Sequence, residues 1–162
     1  MDFEMRRFFT KYVKGTANKA MVINRAMFLC RLSPTVIDNI HLGDLQSSVR
    51  ISSRCLKHLY DQKPAEEFIF LLDNLYTVVK HPQRIYLNKG DKRGGFALVS
   101  TIGNDEYFCS IEPVPSEVQI ATAFRIRDPR YLKNYTLLWS WKDGDLPRNA
   151  GDPTRESANV PQ

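Results

Sequence analysis

The stretch PAEEFIFLLDNLYTVVKHPQRIYLN, Pro64–Asn88, changes its hydrophobic period at Pro82. Before that proline, apolar residues recur at the spacing of one helix face: Phe68, Leu71, Leu72, Leu75, Val78 and Val79. Pro64 opens this helix, and two acidic residues follow in its first turn, where the helix dipole favours them. After Pro82 the period is two, with Ile85 and Leu87 on one face. A helix that gives way to strands predicts an α+β fold.

Downstream of this switch the chain reads as a series of strands. Gly103-Asn104-Asp105 is typical of a hairpin turn between two of them. The predicted strands are Arg84–Asn88, Phe96–Ile102, Glu106–Glu112, Val118–Arg127 and Thr136–Trp141. From Asp143 onward the chain is polar and has no periodicity, which predicts a flexible tail.

Upstream of the switch, helical spacing dominates. The predicted helices are Phe3–Val13, Lys19–Leu32, Thr35–His41 and a helix capped by Ser52 or Ser53 that ends at Leu59 or Tyr60. We therefore expect N-terminal helices packed on one face of a four- or five-stranded antiparallel sheet. The expected organisation is a helical extension over residues 1–50, a main domain over 51–142 and a tail over 143–162.

Composition limits the function classes. No apolar run is long enough to span a membrane or to act as a signal peptide, and a cytoplasmic location is the expectation. Three cysteines and three histidines lie far apart, so no metal site and no cofactor is predicted. Residues 1–63 carry 11 Lys and Arg against 5 Asp and Glu, which suits an anionic partner or a solvated helix face.

The fourth predicted strand has two different faces. Strict alternation directs one set toward the helices: Val118, Ile120, Thr122, Phe124 and Ile126. The other set is small in the middle and cationic at one end: Gln119, Ala121, Ala123, Arg125 and Arg127. This second face is predicted to be shallow and polar. Its arginines either bind a phosphodiester or serve as solvated residues paired with Glu112 or Asp128.

Two further features carry candidate chemistry. Lys57 and His58 fall on the polar side of their helix, and histidine suits general acid–base work near neutrality if that helix borders the polar sheet face. The loop NKGDKRGGF, Asn88–Phe96, holds three basic residues and three glycines. It lacks the nucleotide P-loop motif, so its cations matter only if the loop reaches the same face.

The order of these parts resembles the barnase–EndoU–colicin–RelE (BECR) nuclease superfamily, in particular its phage- and mobile-element-associated branch. The resemblance lies in the segments SSRCLKHLYDQKP, KHPQRIYLNK, KRGGFALVSTIGNDEYFCSIEP and VQIATAFRIRDPRYL, within residues 51–142. It implies helices on one side of an antiparallel sheet and RNA on the other. It also implies a metal-independent endoribonuclease, a toxin or RNA-processing enzyme. In such an enzyme, a 2′-hydroxyl group of the RNA substrate would attack the adjacent phosphate.

The resemblance also implies residue roles. His58 would be the base or acid, Lys89, Lys92 or Arg93 the basic residue after the first strand, Thr122 the strand hydroxyl and Arg125 the phosphate clamp. The expected RNA contacts are Lys57, Lys89, Arg127 and Tyr131. Thr122 conflicts with the alternation, which directs it to the core; a β-bulge would turn it around. Without a bulge its role would pass to Arg125 or Ser110.

The implied partners are tRNA or mRNA and, for a toxin, an antitoxin or immunity protein. Two other readings stay open at this point. One is a non-catalytic RNA-binding module on the same fold, which would bind RNA with a steep salt dependence. The other is a protein–protein adaptor that uses its N-terminal helices as the interface.

Overall fold

The computed structural model describes residues 3–18, 22–42, 47–90 and 94–143. Its α-helices in this part of the chain are α1 Phe3–Tyr12, α2 Pro34–Ile40, α3 Ser53–Gln62 and α4 Ala65–Lys80. Its strands are β1 Ala26–Arg31, β2 Ser48–Ser52, β3 Arg84–Leu87, β4 Phe96–Ile102, β5 Asp105–Val114, β6 Glu117–Arg125 and β7 Thr136–Ser140. The α+β fold class is confirmed. The predicted tail lies outside the described residues beyond 143.

All the described strands form one sheet in the order β1-β2-β6-β5-β4-β3-β7. Strands β3 to β6 form an antiparallel meander, as their short connections favour. The prediction of four or five strands, all antiparallel, was wrong in both number and direction. The sheet has seven strands, and β2 runs parallel to β6. The two additional strands come from the first fifty-two residues, which extend the sheet beyond β6.

The prediction of a helix over 19–32 was wrong. Residues 26–31 form β1, which pairs antiparallel with β2, and residues 19–21 lie outside the described part. The register shifts between Phe28 and Cys30, so that the adjacent Leu29 and Cys30 are both buried. A bulge of this kind breaks the alternation of a strand, and the apolar spacing then imitates that of a helix.

Local signals fixed the ends of the other helices. The Ser33 side chain accepts a hydrogen bond from the Val36 backbone N–H at 3.3 Å, and Pro34 begins α2. The Ser52 hydroxyl caps α3 in the same way, accepting from Cys55 N–H at 3.0 Å. The helix predicted from Pro64 is present as α4 and carries Lys80 in its last turn.

The sheet has a helix face and a second face. On the helix face, all four described helices contribute to the main core, with Met5, Val36, Leu56 and Leu72 as examples. On the second face, a smaller cluster joins Tyr86, Ala97, Val99, Phe108 and Tyr135, with Phe124, Ile126, Tyr131 and Leu132 packed against it. The segment that follows β6 therefore covers part of the face that the sequence predicted to be open and polar.

A bidentate ion pair fastens α1 to α4. Arg6 donates from Nε to Asp73 Oδ1 at 2.8 Å and from one terminal nitrogen to Oδ2 at 2.6 Å. The hydrogen bond from Arg6 is the main reason why the pKa of Asp73 lies below its ordinary value.

This pair predicts a pH dependence of stability. A carboxyl group with a depressed folded-state pKa stabilises the fold above its unfolded pKa of about 4, and this is lost as the pH falls through the folded value. We expect Asp73→Asn to reduce the free energy of unfolding at pH 7 and to differ less from the wild type near pH 3. Denaturant unfolding at both pH values measures this gap. Asp38→Asn, on the exposed side of α2, is the control; a gap independent of pH would contradict the assignment.

Candidate functional site

A polar concavity of about 260 Å³ opens where β2 separates from β6. The two strands pair over only two register positions, Val49 with Val118 and Arg50 with Gln119, because the chain turns into α3 at Ser53. The walls of the concavity come from β1, β2, the start of α3 and β6. Its lining residues are Ala26, Arg50, Ser52, Arg54, Cys55, His58, Glu117, Gln119, Ile120 and Ala121.

Helix α3 brings two side chains to this concavity. Cys55, Leu56 and Leu59 are buried in the main core, and this orientation leaves Arg54 and His58 exposed on the opposite side, four residues apart. The Cys55 thiol lies against β6 and donates to the Ala121 carbonyl at 3.6 Å. Helix α3 therefore runs along the part of β6 with which β2 no longer pairs. A general acid–base role for His58 required that its helix border the second face, and α3 meets this requirement.

Strand register adds further polar side chains. Val49 and Ile51 are buried in the main core, so alternation directs Arg50 to the second face. Arg50 pairs in register with Gln119, and Gln119 with Glu112, which makes a polar row across three strands. The Arg50 Nε lies 3.8 Å from Glu117 Oε1. The site thus combines two guanidinium groups, one imidazole and a nearby carboxylate.

Thr122 lies on the second face because β6 contains a bulge. In the register with β5, Ile120 opposes Ile111 and Thr122 opposes Ser110, so Ala121 is an extra residue. A one-residue insertion exchanges the faces of everything that follows it. Phe124 accordingly packs in the second-face cluster, whereas Ala123 is in the main core. The strict alternation predicted from the sequence fails at Ala121, and the alternative of a bulge is correct.

Beside Thr122 lies a buried hydroxyl group that Gly94 covers. Ser110 is fully buried, and its Oγ has no hydrogen-bond partner among the described residues. Gly94 has a φ of +86°, and a Cβ there would come within 3.1 Å of that hydroxyl and 3.0 Å of the Ile111 carbonyl. Asn88 joins the two described ends of the NKGDKRGGF loop by donating from its amide to the Gly94 carbonyl at 2.9 Å.

The basic loop is described only at its ends. Lys92 and Arg93 lie outside the described residues, in the gap just before Gly94. Lys89 is exposed, and its Nζ lies 5.2 Å from the centroid of the Tyr135 ring, at the second-face cluster. Tyr131 is half-buried in the same cluster, with its ring edge-on to Phe124 at 5.4 Å. Lys89 and Tyr131 thus lie on the second face, as the RNA-binding hypothesis requires.

Arg125 and Arg127 do not lie on the open second face. Because they follow the bulge, Arg125 pairs in register with Tyr107, a main-core residue, and its guanidinium lies 3.6 Å from Asp105. Arg127 donates to the buried carboxylate of Glu67 at 2.5 Å. The alternation that directed both arginines to the polar face was wrong, and so were the acidic partners expected for them.

Lys57 is also not a surface cation. Its side chain is 3% exposed, and its Nζ donates to the Thr16 carbonyl at 2.6 Å and to Asp61 Oδ1 at 2.8 Å. It holds the turn after α1 against α3. The sequence predicted Lys57 on a polar helix side, but the turn after α1 lies against it in the folded chain.

The sequence reasoning missed Arg50, Arg54 and Glu117. A signal was available for Arg54, which precedes His58 by four residues on the same helix. Arg50 alternates with Val49 and Ile51, a pattern that predicts a strand. For Glu117 no local pattern points to this site, because it reaches Arg50 only through the pairing of β2 with β6.

Comparison with known proteins supplies no relative: no family model, no curated protein and no solved structure matches this chain. None of the helices in the described residues is long and apolar enough to cross a membrane. Among the same residues, no three His, Cys, Asp or Glu side chains lie together as a metal-binding group.

Gly94 allows a test of the loop beside Ser110. Gly103 also has a positive φ, of 65°, but a Cβ there meets nothing within 4 Å. Both alanine variants should lose about 1–2 kcal/mol from backbone strain. Gly94→Ala should lose about 1–3 kcal/mol more, because its methyl group must displace Ser110 or the loop. Denaturant unfolding measures both values, and equal losses would contradict the described packing of the loop.

Lys57 allows a test of its structural role. We expect Lys57→Met to lower the free energy of unfolding by about 1–3 kcal/mol, since it leaves the part-buried Thr16 carbonyl and the Asp61 carboxylate without their donor. Lys80→Met is the control, because Lys80 donates to the Arg31 carbonyl in an exposed hydrogen bond. Its loss should stay below about 0.5 kcal/mol. Equal effects of the two variants would show that Lys57 is not a buried anchor.

Proposed function

We propose that the protein is a metal-independent endoribonuclease that cleaves RNA at the concavity beside α3. The observation that carries the proposal is the convergence of His58, Arg50, Arg54 and Glu117 on the second face, away from the main helix packing. Two guanidinium groups suit an anionic phosphodiester, and an imidazole and a carboxylate in the same concavity suit proton transfer. No other group of described residues combines these functions on that face.

The arrangement of the chain supports the same proposal. From β2 onward it runs through two helices into a four-stranded antiparallel meander, with α4 packed on one side of the sheet and the polar concavity on the other. That is the layering that the resemblance to BECR nucleases implies. The second face carries Thr122, and His58 lines the concavity that opens on it, which supports the proposal that RNA binds there.

The reaction assigns one role to each group. The Glu117 carboxylate accepts the proton of the 2′-hydroxyl, and the oxygen so activated attacks the adjacent phosphorus. The P–O5′ bond then breaks, and the His58 imidazolium donates its proton to the departing O5′. Arg50 and Arg54 stabilise the charge on the pentavalent phosphorane. The products are a 2′,3′-cyclic phosphate and a 5′-hydroxyl end.

Several of the roles first expected change in this proposal. Arg125 and Arg127 are replaced as phosphate ligands by Arg50 and Arg54, because acidic residues on the other side of the sheet bind them. Lys57 is not proposed as an RNA contact, because its side chain is buried and bound to Thr16. The proposed substrate is still tRNA or mRNA in the cytoplasm. If the protein acts as a toxin, its proposed partner is still an antitoxin or immunity protein.

The test is cleavage of tRNA and total RNA in EDTA, with the ends analysed for cyclic phosphate. His58→Ala and Glu117→Gln should each lower the rate by about 10²- to 10⁴-fold, the usual contribution of a general acid or base. His81→Ala, at the exposed end of α4, is the matched control and should cleave at the wild-type rate.

Two results would count against this proposal. Cleavage that persists unchanged in both site variants would remove the reaction from the concavity. Binding of RNA without any product would leave a non-catalytic RNA-binding module on the same surface.

A further inference from the structure

A second group of side chains lies at the C-terminal end of α3. Lys63 follows the helix five residues after His58, about 7.5 Å along the helix axis. Its Nζ lies 5.4 Å from the centroid of the Phe124 ring, and Phe124 belongs to the second face. A cation and an aromatic ring thus lie on the same side of the sheet as His58, one or two helical turns away.

The aromatic ring is held in place and half-exposed. Phe124 stacks on Phe108 with ring centroids 4.6 Å apart and an interplanar angle of 21°. Tyr131 meets it edge-on at 5.4 Å, and Phe108 beneath is buried. A ring fixed on one side by stacking loses little conformational freedom when a ligand packs against its exposed part.

The charged groups that act on Lys63 are Glu67 and Arg127. Burial lowers the pKa of Lys63, Glu67 raises it, and the positive charge of Arg127 lowers it further. The Glu67 carboxylate already accepts from Arg127 at 2.5 Å and from the Arg125 backbone N–H at 3.5 Å. The buried Glu67 carboxylate is therefore already bound by Arg127, and this reduces how far it can neutralise Lys63.

We propose that Lys63 and Phe124 form a nucleotide subsite next to His58, and that the RNA bound there is single-stranded. Lys63 moves off the Phe124 ring to bind a backbone phosphate, and a base packs against the part of Phe124 and Tyr131 that this exposes. The inference rests on the proposed binding of RNA to the second face. A duplex does not fit this description, because its bases are paired and stacked and present no free face to an aromatic side chain.

The test is binding of a fluorescein-labelled 2′-O-methyl oligouridylate of roughly ten nucleotides, which has no free 2′-hydroxyl and is not cleaved. Fluorescence anisotropy gives the Kd at several salt concentrations. We expect Phe124→Leu to weaken binding about 5- to 100-fold, the usual effect of one stacked base. Lys63→Met should lower the slope of log K against log salt by about 0.7, as one lost phosphate contact does on a single strand.

Matched controls separate binding from folding. Lys11→Met removes a lysine whose Nζ lies 5.3 Å from the Tyr12 ring on α1, and it should leave the Kd unchanged. Phe124→Tyr keeps an aromatic ring and should restore binding that Phe124→Leu loses. A base-paired 2′-O-methyl duplex of the same length should bind more weakly and respond little to Phe124→Leu.

The outcomes distinguish this inference from the proposed cleavage. Equal Kd values for the wild type, Lys63→Met and Phe124→Leu would overturn the subsite, even if RNA is cleaved in a His58-dependent manner. A duplex that binds as tightly as the single strand would overturn it as well. Aromatic-dependent binding of the single strand without any cleavage of natural RNA would support the subsite and count against the nuclease.

Discussion

The extra residue at Ala121 in β6 is the constraint on which the rest of this structure depends. Side chains on a strand alternate between two faces, so one inserted residue exchanges the faces of everything after it. Before the bulge, Val118 and Ile120 pack in the main core; after it, Thr122 and Phe124 turn to the second face. Helix α3 occupies the edge beside the bulge, where the Cys55 thiol meets the Ala121 carbonyl.

The same bulge divides the second face into two parts. Beyond it, Phe124 joins Phe108 and Tyr131 in an aromatic cluster that the segment after β6 covers. Before it, Gln119 and the neighbouring Arg50 stay in a polar concavity. The open part of the face is therefore the half formed by β2 and the start of β6, and the covered part supplies a rigid aromatic border to it.

Burial and ion pairing decide which of the many cations are available to a ligand. Lys57 is buried, Arg6 is bound by Asp73, and Arg127 is bound by Glu67. The net charge of +5 therefore describes the chain but not the site. The cations that face the concavity are Arg50 and Arg54, and Arg50 lies within 4 Å of an acidic residue, Glu117. This arrangement is the basis of the proposed function, in which the ligand brings a phosphodiester charge and the reaction moves protons.

The sequence by itself determined the local structure around the switch at Pro82. Proline, serine caps and hydrophobic periods of 3.6 and two act within a few residues of one another, so α2, α3, α4 and the meander from β3 to β6 were predictable. The exposure of His58 followed from the apolar side of its own helix. The strand nature of residues 26–31 did not follow, because a bulge made the spacing of its apolar residues resemble that of a helix.

What the tertiary structure alone decided is which residues share a face and a site. The position of the bulge at Ala121 depends on how β6 aligns with β5, and no residue within β6 marks it. The anchoring of Lys57 depends on Thr16 in the turn after α1, 41 residues earlier in the chain. The meeting of Arg50 with Glu117 requires β2 and β6 to pair in parallel. Contacts between distant segments are set by packing of the whole chain, and periodicity within one segment carries no information about them.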